Sequence, residues 1–169
     1  MPHEAIQCPK GQGGDLARWP DVDPSRSDLM ARIRSTDTAP EMCVRRAFHA
    51  RGYRFRLHRR DLPGRPDLVF PRLRLVVFVH GCFWHQHVGC RIASDPKTRR
   101  EYWVPKLARN VARDQANAAK LSEMGWRTAT IWECETRRIA SLENAVSCAL
   151  NVQSSLAREP AAVCPGHTP

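Results

Sequence analysis

The sequence predicts a single α/β domain in which helices pack on a mixed β-sheet. The chain has 169 residues, of which 42% are hydrophobic, which is enough for one core and leaves little room for a second. Short apolar segments of strand length and longer segments with helical spacing follow one another in the order helix, three strands, helix, strand, helix. Regions rich in Gly and Pro flank them, which predicts a flexible arm at 1–25, a domain at 26–157 and a disordered tail at 158–169.

The first predicted helix begins at a capping box. Thr38-Ala39-Pro40-Glu41 combines a side-chain cap with a proline in the first turn, and Gly52 ends the helix. Three strands follow: 53–57 alternates as a half-buried strand does, 67–70 comes after a Pro-Gly loop, and 73–80 is mostly apolar.

The second half of the domain contains one long helix. Apolar residues at helical spacing predict it over about 104–124, and Gly125 ends it. A strand at 127–132 and a last helix at about 141–156 complete the order. This order of elements predicts a mixed sheet with helices packed on it.

Charge and cysteine usage narrow the function classes. Lys and Arg number 27 against 17 for Asp and Glu, giving a net charge of +10. Such a charge is typical of proteins that bind nucleic acid, but charge alone does not decide between a nucleic-acid partner and a merely soluble basic protein. No apolar stretch reaches the length of a membrane span and no secretory signal is evident, so we expect a cytoplasmic protein. Seven cysteines, an odd number, argue against a disulfide framework and favour metal ligands and buried thiols.

The densest chemistry lies in residues 82–90. Cys82, His85, His87 and Cys90 offer two thiols and two imidazoles, and Cys134, just after a predicted strand, can complete the four tetrahedral ligands that zinc prefers. The two histidines are two residues apart and point in opposite directions in an extended segment, so either can face the metal. The alternative reading is two buried cysteines beside surface histidines, which the close spacing disfavours.

A second candidate site pairs a carboxylate with an imidazole. Asp67 begins one predicted strand and His80 ends the next, so both can lie at one edge of the sheet. A carboxylate there can hold Mg²⁺, and a histidine can position or deprotonate water. Taken alone, an Asp before a strand is more often a turn residue, and a lone His is more often structural.

From about Ser27 to Cys134 the chain resembles the very-short-patch repair endonucleases. The most specific segments are Pro-Gly-Arg-Pro-Asp at 63–67 and His-Gly-Cys-Phe-Trp-His at 80–85. Further matching stretches lie at 30–33, 36–41, 110–114, 125–127 and 132–134. The resemblance implies a restriction-endonuclease-like α/β fold with a structural zinc site. It also implies Mg²⁺-dependent nicking of one DNA strand, 5′ of the thymine in T·G mismatches left by deamination of 5-methylcytosine.

The resemblance also implies residue roles at the cleavage site. Asp67 would be the central Mg²⁺ ligand, and the backbone carbonyl of Val79 a second ligand. His85 would be the general base or the group that positions water. His80 would support the metal-bound water or the phosphate, and Glu41 would belong to the outer part of the site. Val79 departs from the expected pattern, in which a residue with a side-chain hydroxyl stands at this position.

The same resemblance chooses between the two histidines. Cys82, His87, Cys90 and Cys134 would hold the structural Zn²⁺, which leaves His85 for the scissile phosphate. Phe83, Trp84 and Trp103 would bind DNA by entering the base stack beside the mismatch. For each aromatic residue the alternative is core packing.

Two rival functions share these features. One is a non-catalytic, zinc-stabilised DNA-binding module, which needs neither Asp67 nor His85. The other is a related restriction-like or defence nuclease with another DNA substrate. A basic scaffold with a redox-sensitive cysteine cluster is a third reading. For the favoured reading we expect a monomer that acts on double-stranded DNA near the bacterial nucleoid, with mismatch-repair proteins as further partners.

Overall fold

The structure, a computed structural model, describes residues 36–151. The predicted arm and tail, and the last residues of the final predicted helix, lie outside this range. The helices are α1 (Ala39–Ala50), α2 (Arg100–Glu123) and α3 (Ile139–Asn151), and the strands are β1 (Arg56–Leu57), β2 (Leu68–Phe70), β3 (Leu75–His80) and β4 (Arg127–Trp132). The predicted order of elements is therefore confirmed.

The four strands form one mixed sheet in the order β1-β2-β3-β4. The first two pairings are antiparallel, while β3 and β4 run parallel and are joined by a crossover through α2. Their register runs from Leu75 opposite Arg127 to His80 opposite Trp132. Cys82 and Cys134 each follow the last paired residue by two positions, so the register places both at the same end of the sheet.

Helices cover both faces of the sheet, as the predicted fold class requires. On one face, α1 and α3 pack against β2 and β3, with Phe48, Phe70 and Val146 in the shared core. On the other face, Val76 and Trp126 pack with Leu121 of α2. Because alternate residues of β3 enter different cores, this strand is buried on both sides and anchors the loop that follows it.

Several element boundaries differ from the predicted ones: β2 begins at Leu68 rather than at 67, and α3 begins at Ile139 rather than near 141. Helix α2 begins at Arg100 rather than near 104, so Pro105 lies inside the helix instead of in its first turn. The helix tolerates the proline there because it removes only one backbone hydrogen bond, close to the helix start. Only 56–57 of the predicted 53–57 strand pair with a neighbour, and β3 begins at Leu75 because Pro71–Leu73 form a 3₁₀ turn. Within the described residues, no helix has the length and apolarity needed to cross a bilayer.

Candidate metal centres and nuclease site

Four metal-ligating side chains meet where β3 and β4 end. The ligand atoms of Cys82, His87, Cys90 and Cys134 all lie within 4.8 Å of one another. His87 Nδ1 is 3.6 Å from Cys82 Sγ and 3.4 Å from Cys134 Sγ, so this nitrogen faces the centre of the group. The structure thus brings together the four residues that were predicted to bind zinc.

The loop between Cys82 and Cys90 is coiled into successive turns. The backbone N–H of His85 donates to Gly81, that of His87 to Cys82 and that of Cys90 to His87, at 3.1, 3.0 and 3.2 Å. Gln86 adopts a left-handed conformation with φ of 50°. The two histidines do face different groups, but the explanation by an extended segment was wrong: the reversal at Gln86 separates them.

The chemistry of this group fits zinc. Burial and the neighbouring thiols Cys82 and Cys90 together raise the pKa of Cys134 to about 12. Thiols packed so closely ionise together only around a cation, and three sulfurs with one imidazole nitrogen are a typical set of structural zinc ligands. The His87 ring stacks on Trp132 at 4.1 Å with an interplanar angle of 1°, which orients Nδ1 toward the sulfurs.

A second group lies on the other side of the same loop. The rings of His80 and His85 stack at 3.8 Å with an interplanar angle of 10°. His85 Nδ1 lies 2.5 Å from Asp114 Oδ2. Sequence reasoning did not assign a role to Asp114, although it lies in a matching stretch. Its signal was helical spacing: Asn110 and Asp114 share a face of α2, and Asn110 donates to the Trp84 carbonyl in the same loop at 3.1 Å.

His80 is electrostatically disfavoured as a cation. Burial and, to a smaller extent, the nearby His85 and Arg113 together lower its pKa to about 3. His80 is therefore neutral at neutral pH and presents an uncharged face to His85.

Asp67 lies beside the end of β3. Its Oδ2 accepts a hydrogen bond from the Val79 N–H at 2.7 Å, while Oδ1 faces His58 Nδ1 at 3.9 Å. Burial, with a contribution from the negative charge of Glu41 and against the hydrogen bond from Val79, raises the pKa of Asp67 to about 6. A largely buried carboxylate that is hard to ionise gains from a bound cation, and its oxygens are the type that Mg²⁺ prefers. The role of the Val79 carbonyl remains a prediction.

Glu41 lies near Asp67, and its role in the outer part of this site stays a prediction. It is 4% exposed and its Oε2 lies 3.9 Å from His58 Nε2, so the His58 ring stands between Glu41 and Asp67. Arg45 contacts both Glu41 and His58, at 3.1 and 2.9 Å. Sequence reasoning missed Arg45 and His58, because nothing in the sequence around them indicates that Arg45 is buried or that His58 lies near Asp67.

The candidate catalytic residues form one continuous series of contacts. Asp67 accepts from Val79, His80 follows Val79 on β3, His80 stacks on His85, and His85 bonds to Asp114. The strand thereby connects the carboxylate predicted to bind Mg²⁺ with the predicted general base.

The three predicted DNA-binding aromatic residues also cluster. Ring centroids lie 5.3 Å apart for Phe83 and Trp84, 5.9 Å for Phe83 and Trp103, and 5.8 Å for Trp84 and Trp103. All three side chains are only partly buried. Tyr102, which is 50% exposed, extends the cluster at 5.2 Å from Trp103. Lys106 Nζ lies 5.1 Å from the Trp103 centroid, so a cation borders this aromatic surface.

Comparison with known proteins decides the family. The model of the family described as DNA mismatch endonuclease Vsr matches residues 21–91. The type II nicking enzyme V.XorIIP of Xanthomonas oryzae pv. oryzae is 57% identical over 118 residues, which cover 70% of this chain and 86% of that protein. The chain belongs to the Vsr endonuclease family. Two further Vsr relatives are the DNA mismatch endonuclease Vsr of Escherichia coli K12, 42% identical over 113 residues, and the type II nicking enzyme V.NmeAIP of Neisseria meningitidis, 36% identical over 115 residues. Their matches cover 67% and 68% of this chain, and 72% and 81% of the two relatives.

Membership of the Vsr family makes the chain a DNA endonuclease. The Vsr match contains Asp67, His80 and His85. It also contains three of the four predicted zinc ligands: Cys82, His87 and Cys90. Asp114 and Cys134 lie beyond residue 91, and the fold brings them to the loop. The DNA-binding module without catalysis is therefore set aside as a function for this Vsr chain.

Proposed function

We propose that the chain nicks one strand of duplex DNA on the 5′ side of the thymine in T·G mismatches, in a Mg²⁺-dependent reaction of very short patch repair. The observation that carries the proposal is the contact series from Asp67 to Asp114, which passes through His85 on the loop that also presents Phe83 and Trp84. Cleavage chemistry and a surface for base stacking thus share one short segment. One relative is named a DNA mismatch endonuclease, which supports the substrate class.

Asp67 and the Val79 carbonyl would hold the Mg²⁺, which when bound stabilises negative charge on the phosphate and on the leaving oxygen. The remaining chemistry belongs to side chains. When His85 donates from Nδ1 to Asp114, its Nε2 carries a lone pair and can accept a proton from the attacking water. Asp114 then stabilises the protonated ring, and neutral His80 orients it by stacking without adding charge.

The four predicted zinc ligands, Cys82, His87, Cys90 and Cys134, form what we call the zinc-type group. This group would stabilise the structure of the loop and take no part in the cleavage reaction. Four protein ligands leave a zinc ion no open position for water or substrate. Its contribution would be to fix the turns between Cys82 and Cys90, which determine where His85 and the aromatic rings point. We therefore assign Zn²⁺ as a structural ion and Mg²⁺ as the catalytic one.

Mismatch selection would come from the aromatic surface. A T·G wobble pair stacks less well than a matched pair, so opening the stack there costs less free energy. Stacking on Phe83, Trp84 and Trp103 can replace part of the lost energy, about 1–3 kcal/mol per base. The alternative is that the chain is a related nuclease whose substrate is DNA without a T·G mismatch. The observation that favours this alternative is that V.XorIIP, the relative with 57% identity, is named only as a nicking enzyme.

The test is a nicking assay on end-labelled duplexes that differ in one base. Identical sequences carrying T·G or T·A are incubated with Mg²⁺ or EDTA, in several flanking contexts, with each strand labelled in turn. We expect nicking of the thymine strand alone, only in the T·G duplex and only with Mg²⁺. Equal cutting of the T·A duplex would favour the alternative substrate, and cutting in EDTA would exclude the proposed metal chemistry.

A further inference from the structure

The loop at 58–66 borders the proposed Mg²⁺ site, because it begins and ends beside Asp67. At its start, His58 Nδ1 lies 3.9 Å from Asp67 Oδ1, and at its end Pro66 directly precedes Asp67. Buried side chains hold the loop in place: Leu62 is 4% exposed in the core shared with α2, and Pro66 is fully buried. The backbone of this loop is therefore fixed relative to Asp67.

Gly64 attaches the loop to helix α2. Its φ is 74°, and a Cβ at this position would lie 2.9 Å from Asn117 Nδ2, so only glycine fits against the helix here. Asn117 lies three residues after Asp114, on the same face of α2. The face of α2 that orients His85 through Asp114 therefore also contacts the loop.

Arg65, the next residue, adopts an unfavourable backbone conformation. Its φ of 51° lies in the left-handed region, where the Cβ is crowded, and the proline that follows restricts the backbone further. The residue is exposed, so its side chain contributes no core packing that would explain the strain. Glycine would adopt this φ at lower cost. Strained residues concentrate at active sites and ligand-binding sites, which makes Arg65 a candidate for contact with the substrate.

Arg113 places a second cation near the same loop. It lies on α2 one turn before Asn117, the residue that contacts Gly64. Arg65 and Arg113 are both exposed, and within the described part of the chain neither forms an ion pair with a carboxylate. Loop and helix thus present positive charge that is available to an anion. Backbone phosphates are the anions that a DNA endonuclease meets, and a guanidinium can bind two oxygens of one phosphate.

We propose that Arg65 binds the DNA phosphate that neighbours the scissile phosphate in the nicked strand, and that this contact sets the position of the strand over Asp67. The proposal rests on the Mg²⁺ site proposed above. Two residues of chain span at most about 7 Å, so Arg65 is anchored next to the phosphate that the ion on Asp67 would hold. Contacts to phosphates fix the register of a protein on the duplex and carry no sequence information directly. Arg65 therefore acts in any flanking context.

The test replaces single phosphates of the nicked strand of a T·G duplex by uncharged methylphosphonates, one position at a time, on both sides of the cleavage point. Fluorescence anisotropy without Mg²⁺ gives the affinity. We expect one neighbouring methylphosphonate to weaken wild-type binding by about 10-fold or more, and Arg65→Ala to bind the unmodified duplex equally weakly. The two losses should not add, because both changes remove the same contact. In Arg65→Ala the slope of log affinity against log salt should also fall by about 1.

Two further variants separate this contact from charge and from folding. Arg72→Ala removes the same charge from an exposed residue at the opposite end of the β2–β3 hairpin, and it should keep the wild-type response to every methylphosphonate. Arg65→Gly removes the strain together with the guanidinium. It should unfold at no lower urea concentration than the wild type and still show the binding loss of Arg65→Ala. Arg65→Gly also carries the test if Arg65→Ala does not fold.

Wild-type affinity in both Arg65 variants would overturn the proposal, as would losses from variant and methylphosphonate that multiply at every position. Single-turnover nicking by the wild type separates this proposal from the function. A wild type that nicks T·G duplexes with Mg²⁺ but shares no loss with Arg65→Ala refutes only the contact of Arg65. A wild type that cuts T·A duplexes equally well refutes the mismatch function, and the same methylphosphonate series on that duplex still decides the role of Arg65.

Discussion

Replacing Asp67 by Asn should stabilise the protein in the absence of Mg²⁺, increasingly so as the pH rises. Burial raises the pKa of this carboxyl to about 6 from an ordinary 3.8, and its side chain is 17% exposed. The folded state therefore holds the proton more tightly than the unfolded state. The proton on Asp67 therefore stabilises the folded state. This stabilisation is fully present below pH 4 and is lost as the pH rises to and through 6. The loss amounts to about 3 kcal/mol above pH 7, since each pKa unit corresponds to about 1.4 kcal/mol.

Urea unfolding in EDTA measures this effect. The free energy of unfolding of Asp67→Asn minus that of the wild type should increase by about 2 kcal/mol between about pH 4.5 and pH 7.5, the part of the titration that is accessible. Mg²⁺ should stabilise the wild type and leave Asp67→Asn unchanged. The matched variant Asp61→Asn should change in the opposite direction with pH, because its hydrogen bond to Arg59 lowers the pKa of Asp61. A difference for Asp67→Asn that stays constant with pH would refute the reasoning.

Three further predictions concern the zinc-type group, the base and the aromatic surface. Cys134→Ser should purify with less than one zinc per chain and have a lowered melting temperature, whereas the control Cys148→Ser should keep its zinc. Full zinc content in Cys134→Ser would exclude Cys134 as a zinc ligand. Asp114→Asn should lower the single-turnover nicking rate by about 100-fold or more with unchanged DNA affinity, and a normal rate would exclude its role in orienting His85. Trp84→Ala should reduce the preference for T·G over T·A binding by about 5- to 150-fold, following the stacking energy of about 1–3 kcal/mol, and an unchanged ratio in fluorescence anisotropy would contradict its insertion.

The sequence predicted the parts of the fold that local pattern and strand pairing determine. Thr38 caps α1 through a hydrogen bond from Glu41 N at 3.4 Å, and β4 has its predicted bounds. Cys134 was identified as a partner of Cys82 because neighbouring strand ends meet in space, and the parallel register of β3 and β4 brings them together.

The remaining features depend on long-range contacts that periodicity does not encode. Asp114 reaches His85 only because α2 crosses over the loop. Arg45 reads as a surface residue of an amphipathic helix, and His58 adopts a left-handed backbone with φ of 45° that nothing nearby in the sequence predicts. The coiling of the zinc-type loop is likewise determined by Gln86, a residue type with no special preference for its conformation.

The most direct test of the whole account is the single-turnover nicking rate of the wild type and of Asp67→Asn on one T·G duplex with saturating Mg²⁺. If Asp67 holds the catalytic ion, the variant should bind this duplex as tightly as the wild type and nick it at least about 1000-fold more slowly, because metal chemistry contributes several kcal/mol. Asp61→Asn should nick at the wild-type rate. An Asp67→Asn protein that nicks as fast as the wild type would contradict the account.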